Sequence, residues 1–157
     1  MAFSTNVRRG HPILFILIIV LAIVEGSVLQ RNPVCATAPH SFLAFASWWT
    51  VVLSSIYAIL FWHSSNGSFL TSVLSHLIYL ALTWIWWTAG AAAITASIGG
   101  GNNCSNIQYD LPYCNQLNAA MGFAWAVWLC VSFALVIVIL RGISSRRRGE
   151  GMSGQLV

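Results

Sequence analysis

Charged side chains are almost absent from the long middle of this chain, and their absence limits what the chain can fold into. Between Pro12 and Leu140 only Glu25, Arg31 and Asp110 carry a formal charge. Of all 157 residues 58% are hydrophobic and 6% are charged, whereas soluble domains carry about 25% charged residues. A soluble helical bundle needs charged outer faces on its helices, and this sequence supplies none. We therefore interpret the chain as an integral membrane protein.

Four apolar runs are long enough to cross a bilayer, whose hydrocarbon core requires roughly 17–25 helical residues. The runs cover residues 12–29, 41–62, 69–98 and 117–140, within a membrane domain over 12–141 and between tails at 1–11 and 142–157. The sequence thus predicts an all-α fold, a membrane-spanning four-helix bundle. Pro12 is expected in the first turn of the first helix, where proline is tolerated. A cleaved signal peptide, with Ile13–Val24 as its apolar region and Ala36–Ala38 as its cleavage site, ranks second for the first run.

The arginines predict the orientation of the spans. Six of the seven arginines lie at the two ends of the chain, and one, Arg31, lies in a connecting loop. Because cytosolic flanks are rich in basic residues, we expect both termini in the cytosol and the loops 30–40 and 99–116 on the exoplasmic side. The cluster Arg146, Arg147 and Arg148 either contacts anionic lipid head groups, at about 1 kcal/mol per arginine, or is an ordinary stop-transfer flank. A nucleic-acid partner is excluded, because no folded domain carries a basic stripe.

Two cysteines in the second exoplasmic loop are predicted to form a structural disulfide. Nine residues separate Cys104 from Cys114, and closing a loop of this length stabilises a fold by about 3 kcal/mol in the chain-entropy model. A redox couple is the rival interpretation, but the chain contains no C-x-x-C pair, and Cys35 alone in the first loop is a poor substitute. Cys130, flanked by apolar residues, is expected to be a small packing residue.

One acidic and one basic side chain, Glu25 and His76, fall inside the predicted spans and are weighed as functional candidates. An intramembrane carboxyl such as that of Glu25 is a candidate functional site by default, but an interfacial carboxyl, or a protonated one bonded across helices, is the preferred interpretation. His76 is expected to hydrogen-bond a neighbouring helix near the cytosolic face. A transporter would show several polar residues at mid-depth, which we do not expect here. The sequence contains no catalytic triad, metal-binding motif or phosphate loop, so we predict no catalytic residue, cofactor or metal.

Small residues recur at every fourth position in the third and fourth spans, a pattern that lets membrane helices approach closely. In the third span one stripe comprises Ala89, Ala93 and Ser97, and another beside it comprises Ala92, Ala96 and Gly100. In the fourth span the stripe comprises Gly122, Ala126, Cys130 and Ala134. The pattern predicts docking of spans three and four, or oligomerisation where a stripe faces lipid. The run Gly99–Gly101 that follows the third span is interpreted as a flexible turn.

Four spans, short loops, both ends inside and a cysteine pair in the second exoplasmic loop resemble the MARVEL family. The segments WTAGAAAIT before that loop and CNQLNAAMGFAWAVW after it are similar to small MARVEL-like proteins common in fungi. The resemblance covers Arg8–Arg141. It implies a non-enzymatic role in membrane domains, vesicle trafficking or membrane apposition, at the plasma membrane or in secretory or endosomal vesicles.

The expected partner is therefore the lipid bilayer, with anionic or ordered lipids as candidates, together with a second copy of the chain or another membrane protein. The eight tryptophans and the small stripes suggest a left-handed bundle that sorts by bilayer thickness and lipid composition. An accessory subunit of a larger channel or transporter is the alternative interpretation. A redox or transport protein in its own right has the least support.

Overall fold

Four long helices make up the part of the chain that the structure, a computed structural model, describes, namely residues 2–30, 38–63, 73–100 and 114–147. The helices are α1 (Ala2–Gln30), α2 (Ala38–His63), α3 (Val73–Ser97) and α4 (Cys114–Arg147). Each contains a stretch long and apolar enough to cross a membrane, and these are Ile13–Gln30, His40–Leu60, Leu74–Ser97 and Cys114–Ser144. The predicted all-α membrane bundle is confirmed, and the chain is a multi-pass membrane protein.

Consecutive helices run antiparallel. The end of α1 meets the start of α2, where His40 contacts Leu29, and the end of α2 meets the start of α3, where Tyr57 contacts His76. The most extensive packing joins α1 to α2 and α3 to α4, while α1–α4 and α2–α3 contacts close the bundle. The result is an up-down-up-down bundle in which α1 begins and α4 ends at the same end.

The buried residues of each helix alternate at spacings of three and four. In α1 they include Phe15, Ile18, Ala22, Glu25 and Leu29, and in α2 they include His40, Leu43, Ser47, Thr50 and Ser54. In α3 they include His76, Leu80, Thr83, Trp87, Ala91 and Ile94, and in α4 Ala120, Ala124, Val127, Val131, Ala134 and Val138. A mean spacing of about 3.5 keeps one seam of each helix facing its neighbours, as in left-handed four-helix bundles.

The outer helices extend beyond the apolar runs. Because α1 begins at Ala2, most of the predicted 1–11 tail is helical, and the expectation that Pro12 lies in the first turn is wrong. A helix that has nucleated gains one hydrogen bond for each added residue, which offsets the backbone bond that an interior proline removes. For the same reason α4 continues to Arg147, beyond the predicted end at residue 140.

A glycine cap ends α3. The amide of Gly100 donates to the carbonyl of Thr95 at 2.9 Å, and the amide of Gly99 donates to that of Ala96 at 3.2 Å. Both glycines have positive φ, 68° and 90°, which costs a residue without a side chain little. This pair of bonds is a Schellman motif, so Gly99 and Gly100 lie in a hydrogen-bonded turn, and the flexibility of that turn remains a prediction. Gly101 lies outside the described residues.

Candidate functional site: polar groups inside the bundle

The interior of the bundle contains a set of buried polar side chains that we call the polar core. Its members are Glu25, His40, Ser47, Thr50, Ser54, His76 and Thr83. The expectation that no such set occurs at mid-depth is wrong. In α2 the polar residues Ser47, Thr50 and Ser54 follow the same alternating spacing as the apolar core. The spacing of these residues, unlike hydropathy alone, therefore predicts that they lie on the same buried face of α2.

Four tryptophans bond hydroxyl groups on neighbouring helices. Between α3 and α4, Nε1 of the indole donates to a hydroxyl oxygen in the pairs Trp84–Ser132 at 2.9 Å, Trp128–Thr88 at 2.8 Å and Trp125–Thr95 at 3.1 Å. Between α3 and α2, the pair Trp87–Thr50 is joined at 3.0 Å. Trp87 is fully buried, so this last bond lies in the centre of the bundle. We call these four contacts the indole–hydroxyl bonds.

Each hydroxyl in these bonds serves two helices at once. Thr50 donates its proton to the carbonyl of Ala46 at 2.7 Å, and Thr88 donates to the carbonyl of Trp84 at 2.7 Å. The hydroxyl oxygen then accepts the indole N–H from the other helix, so both its donor and acceptor capacities are used. Interhelical bonds of this kind in membranes contribute about 0.6 kcal/mol on average and up to about 1.7 kcal/mol. These bonds were not predicted from the sequence, because the partners lie on different helices.

Two tyrosine–serine pairs join α2 to α3. Ser54 Oγ and the Tyr79 hydroxyl are 2.7 Å apart, as are the Tyr57 hydroxyl and Ser75 Oγ. The two tyrosine rings stack with centroids 4.9 Å apart. Because each polar atom in these pairs has a partner on the other helix, burying it does not leave an unsatisfied group.

His76 lies beside this tyrosine stack and is almost fully buried. Its ring meets Tyr57 of α2 edge-on at a centroid distance of 4.5 Å and Phe15 of α1 at 6.1 Å. The histidine therefore packs between α1 and α2. The predicted hydrogen bond to a neighbouring helix remains a prediction.

Glu25 is buried completely, with 0% of its surface exposed. Its interfacial interpretation is therefore wrong, because the carboxyl group is enclosed by the bundle. Among the residues that the structure describes, neither carboxyl oxygen has a hydrogen-bond partner. An ionised carboxylate without a partner in an apolar interior is very costly, and such groups avoid the cost by being neutral.

His40 joins the end of α1 to the start of α2. Its Nε2 lies 3.0 Å from the carbonyl oxygen of Leu29, and since a carbonyl can only accept, Nε2 carries the proton. The bond satisfies one of the last carbonyl groups of α1, which have no partner within their own helix. Nδ1 of the same ring is buried and has no partner among the described residues.

The small-residue stripes do not form the seam between α3 and α4. Ala89, Ser97 and Gly122 are exposed, Ala93, Ala126 and Cys130 are half-buried, and only Ala134 is fully buried. Four residues of a helix with 3.6 residues per turn advance by about 400°. Each step of a spacing-four stripe therefore rotates by about 40°, and Gly122 and Ala134 face directions about 120° apart. The face that each of these helices turns to its neighbours is therefore formed by the buried residues at spacings of three and four, and not by the predicted stripe.

The other candidate residues are placed only in part. Cys130 is a free thiol that packs against the core, in agreement with its predicted packing role. Cys114 is the first residue of α4, whereas Cys35 and Cys104 lie outside the described residues, so the Cys104–Cys114 disulfide remains a prediction. Among the predicted lipid-contacting arginines, Arg147 is exposed, the side chain of Arg146 is not described, and Arg148 lies outside the described residues.

A shallow groove opens between α2 and α3, the least extensively packed pair of neighbours. Its volume is about 290 Å³, and it is lined mainly by apolar and aromatic side chains, including Trp49, Leu53, Tyr57 and Ile78. Within the described ranges no group of three or more histidine, cysteine, aspartate or glutamate side chains is placed to hold a metal ion.

Comparison of this chain with protein-family models, with curated proteins and with solved structures returned no match. The function is therefore argued from the arrangement of the side chains.

Proposed function

We propose that this chain is a non-enzymatic, MARVEL-like membrane protein that organises the bilayer around it by sorting according to thickness and lipid composition. One observation supports the proposal: polar groups bond one another across the inside of the bundle, through contacts such as Trp87–Thr50 and Ser54–Tyr79. The described outer surface carries large apolar side chains, including Ile13, Phe45, Ile59 and Phe133. Internal bonds fix the shape of the bundle, and the outer surface acts on the lipids.

The lengths of the apolar stretches give the direction of sorting. They contain 18, 21, 24 and 31 residues, or about 27, 32, 36 and 47 Å at 1.5 Å per residue, against a hydrocarbon core of about 30 Å. The excess length of α3 and α4 is accommodated by tilting or by local thickening of the bilayer. Thicker membranes reduce this mismatch, and the plasma membrane is thicker than that of the endoplasmic reticulum. This supports a plasma-membrane or late secretory location.

Phase-separated giant vesicles containing the purified, labelled protein test the proposal. We expect enrichment in the thicker phase, and a reduced enrichment when Ile139, Leu140 and Ile143 are replaced by serine, because these exposed residues extend the apolar length of α4. The matched control exchanges the same positions among apolar residues (I139L, L140I, I143L) and should sort as the unmodified chain does. Equal partitioning of the unmodified protein between the phases would contradict the proposal.

An accessory subunit of a larger channel or transporter is a second candidate, favoured by the groove between α2 and α3. Photo-crosslinking with a benzophenone residue at Ile78, which lines the groove, separates the two functions. The control position is Ile16 on α1, which is similarly exposed, at 58% against 54%. One stoichiometric heterologous product from Ile78 and none from Ile16 would support the accessory subunit. Products between copies of this chain would support the organising role.

A further inference from the structure

We propose that Glu25 is a proton-binding site inside the membrane. The carboxyl lies five residues before the end of α1 and within the apolar stretch Ile13–Gln30. It is enclosed on its own helix by Ala22 and Leu29, both core residues. This inference is independent of lateral sorting.

The helix α2 approaches closely beside the carboxyl. A Cβ atom added at Gly26 would lie 3.4 Å from Ser47 Cβ and 3.4 Å from the indole of Trp48, so α2 packs directly against the residue that follows Glu25. The Ser47 hydroxyl donates its proton to the carbonyl of Leu43 at 2.9 Å. It therefore has no proton to offer Glu25.

No described cation faces the carboxyl. The helices packed most extensively against α1 are α2 and α4, and their described titratable or charged side chains are His40, Tyr57, Cys130, Arg141 and Arg147. From α3, His76 contacts α1 at Phe15, ten residues before Glu25. None is a hydrogen-bond partner of Glu25. Tyr57 bonds Ser75, and Arg141 lies near the far end of α4, because α1 and α4 run antiparallel. A proton is thus the one cation that the enclosed carboxyl can hold without a second ligand.

Infrared spectroscopy of the full chain in bilayers at pH 7 tests the site. The chain has only three acidic side chains, Glu25, Asp110 and Glu150, so a C=O stretching band of a protonated carboxyl can be assigned by substitution. We expect the band in the unmodified protein and in the D110N/E150Q variant, and its loss in Glu25→Gln, which keeps the shape of the side chain. Absence of the band from both proteins with Glu25 would overturn the proposal, as would its persistence in Glu25→Gln.

Discussion

Replacing Gly90 with alanine should destabilise the bundle, because the side chain of Leu43 on α2 packs directly against this glycine of α3. A Cβ atom built there overlaps Cδ1 of Leu43 and lies 3.4 Å from its Cγ and 3.6 Å from a ring carbon of Phe42. Leu43 is fully buried in the core cluster. Its side chain therefore has little room to move away from the new methyl group.

The magnitude follows from two opposing effects. Inserting a methyl group into a packed core costs about 1–3 kcal/mol, while alanine gains about 1 kcal/mol over glycine in helix propensity. Gly122→Ala is the matched control, because Gly122 is exposed on α4 and a Cβ there meets nothing within 4 Å. The propensity gain is common to both variants. The free energy of unfolding of Gly90→Ala should therefore be about 1–3 kcal/mol lower than that of Gly122→Ala.

Reversible unfolding in mixed detergent micelles, followed by circular dichroism, measures this difference. A double-mutant cycle with Leu43→Ala identifies the overlapping atoms. Leu43→Ala alone should cost about 2–5 kcal/mol through the cavity it leaves, and less when alanine at position 90 fills part of that cavity. Equal stability of Gly90→Ala and Gly122→Ala, or additive effects in the cycle, would refute the close approach of α2 and α3.

Two further predictions concern the contact between α3 and α4 and the orientation of the chain. Trp128→Phe keeps an aromatic ring but loses the indole bond to Thr88, so the free energy of unfolding should fall by about 0.6–1.7 kcal/mol. Thr88→Ser keeps the hydroxyl and should cost less, and the reverse ranking would contradict the role of this bond. In a translation reaction with microsomes, Asn66 should carry no glycan, because its loop is predicted to be cytosolic. Asn103, in the exoplasmic loop and also within an N-x-S sequence, is the acceptor site, and a glycan on Asn66 would refute the predicted orientation.

The fold was predictable because hydropathy and length act over whole segments. Four apolar runs separated by short polar stretches leave few alternatives once every backbone group in lipid must be bonded within its own helix. The ends of the helices were harder to predict. The start of α1 at Ala2 depends on the continuation of backbone bonds through polar residues and through Pro12, which an average of hydropathy does not register.

The polar core was less predictable because it depends on which residues meet across helices. Thr88 and Trp128 are 40 positions apart, and no local pattern marks them as partners. The burial of Glu25 has the same origin. Near the end of an apolar run a carboxyl can face either the head groups or the core, and the rotation of α1 against α2 decides between them. The spacing of the buried residues in α1 indicates that Glu25 faces the core, because Ala22, Glu25 and Leu29 follow the alternation of three and four residues.

The unequal packing of the four helices has a mechanical consequence. Three indole–hydroxyl bonds join α3 to α4, and α1 is in extensive contact with α2. The bundle therefore consists of two helical hairpins, and the contacts between the hairpins, α1 with α4 and α2 with α3, are less extensive. A chain pulled from the bilayer by one end should then yield two major force steps, each releasing one hairpin. Between these steps the remaining hairpin would still hold its own interhelical contacts within the lipid.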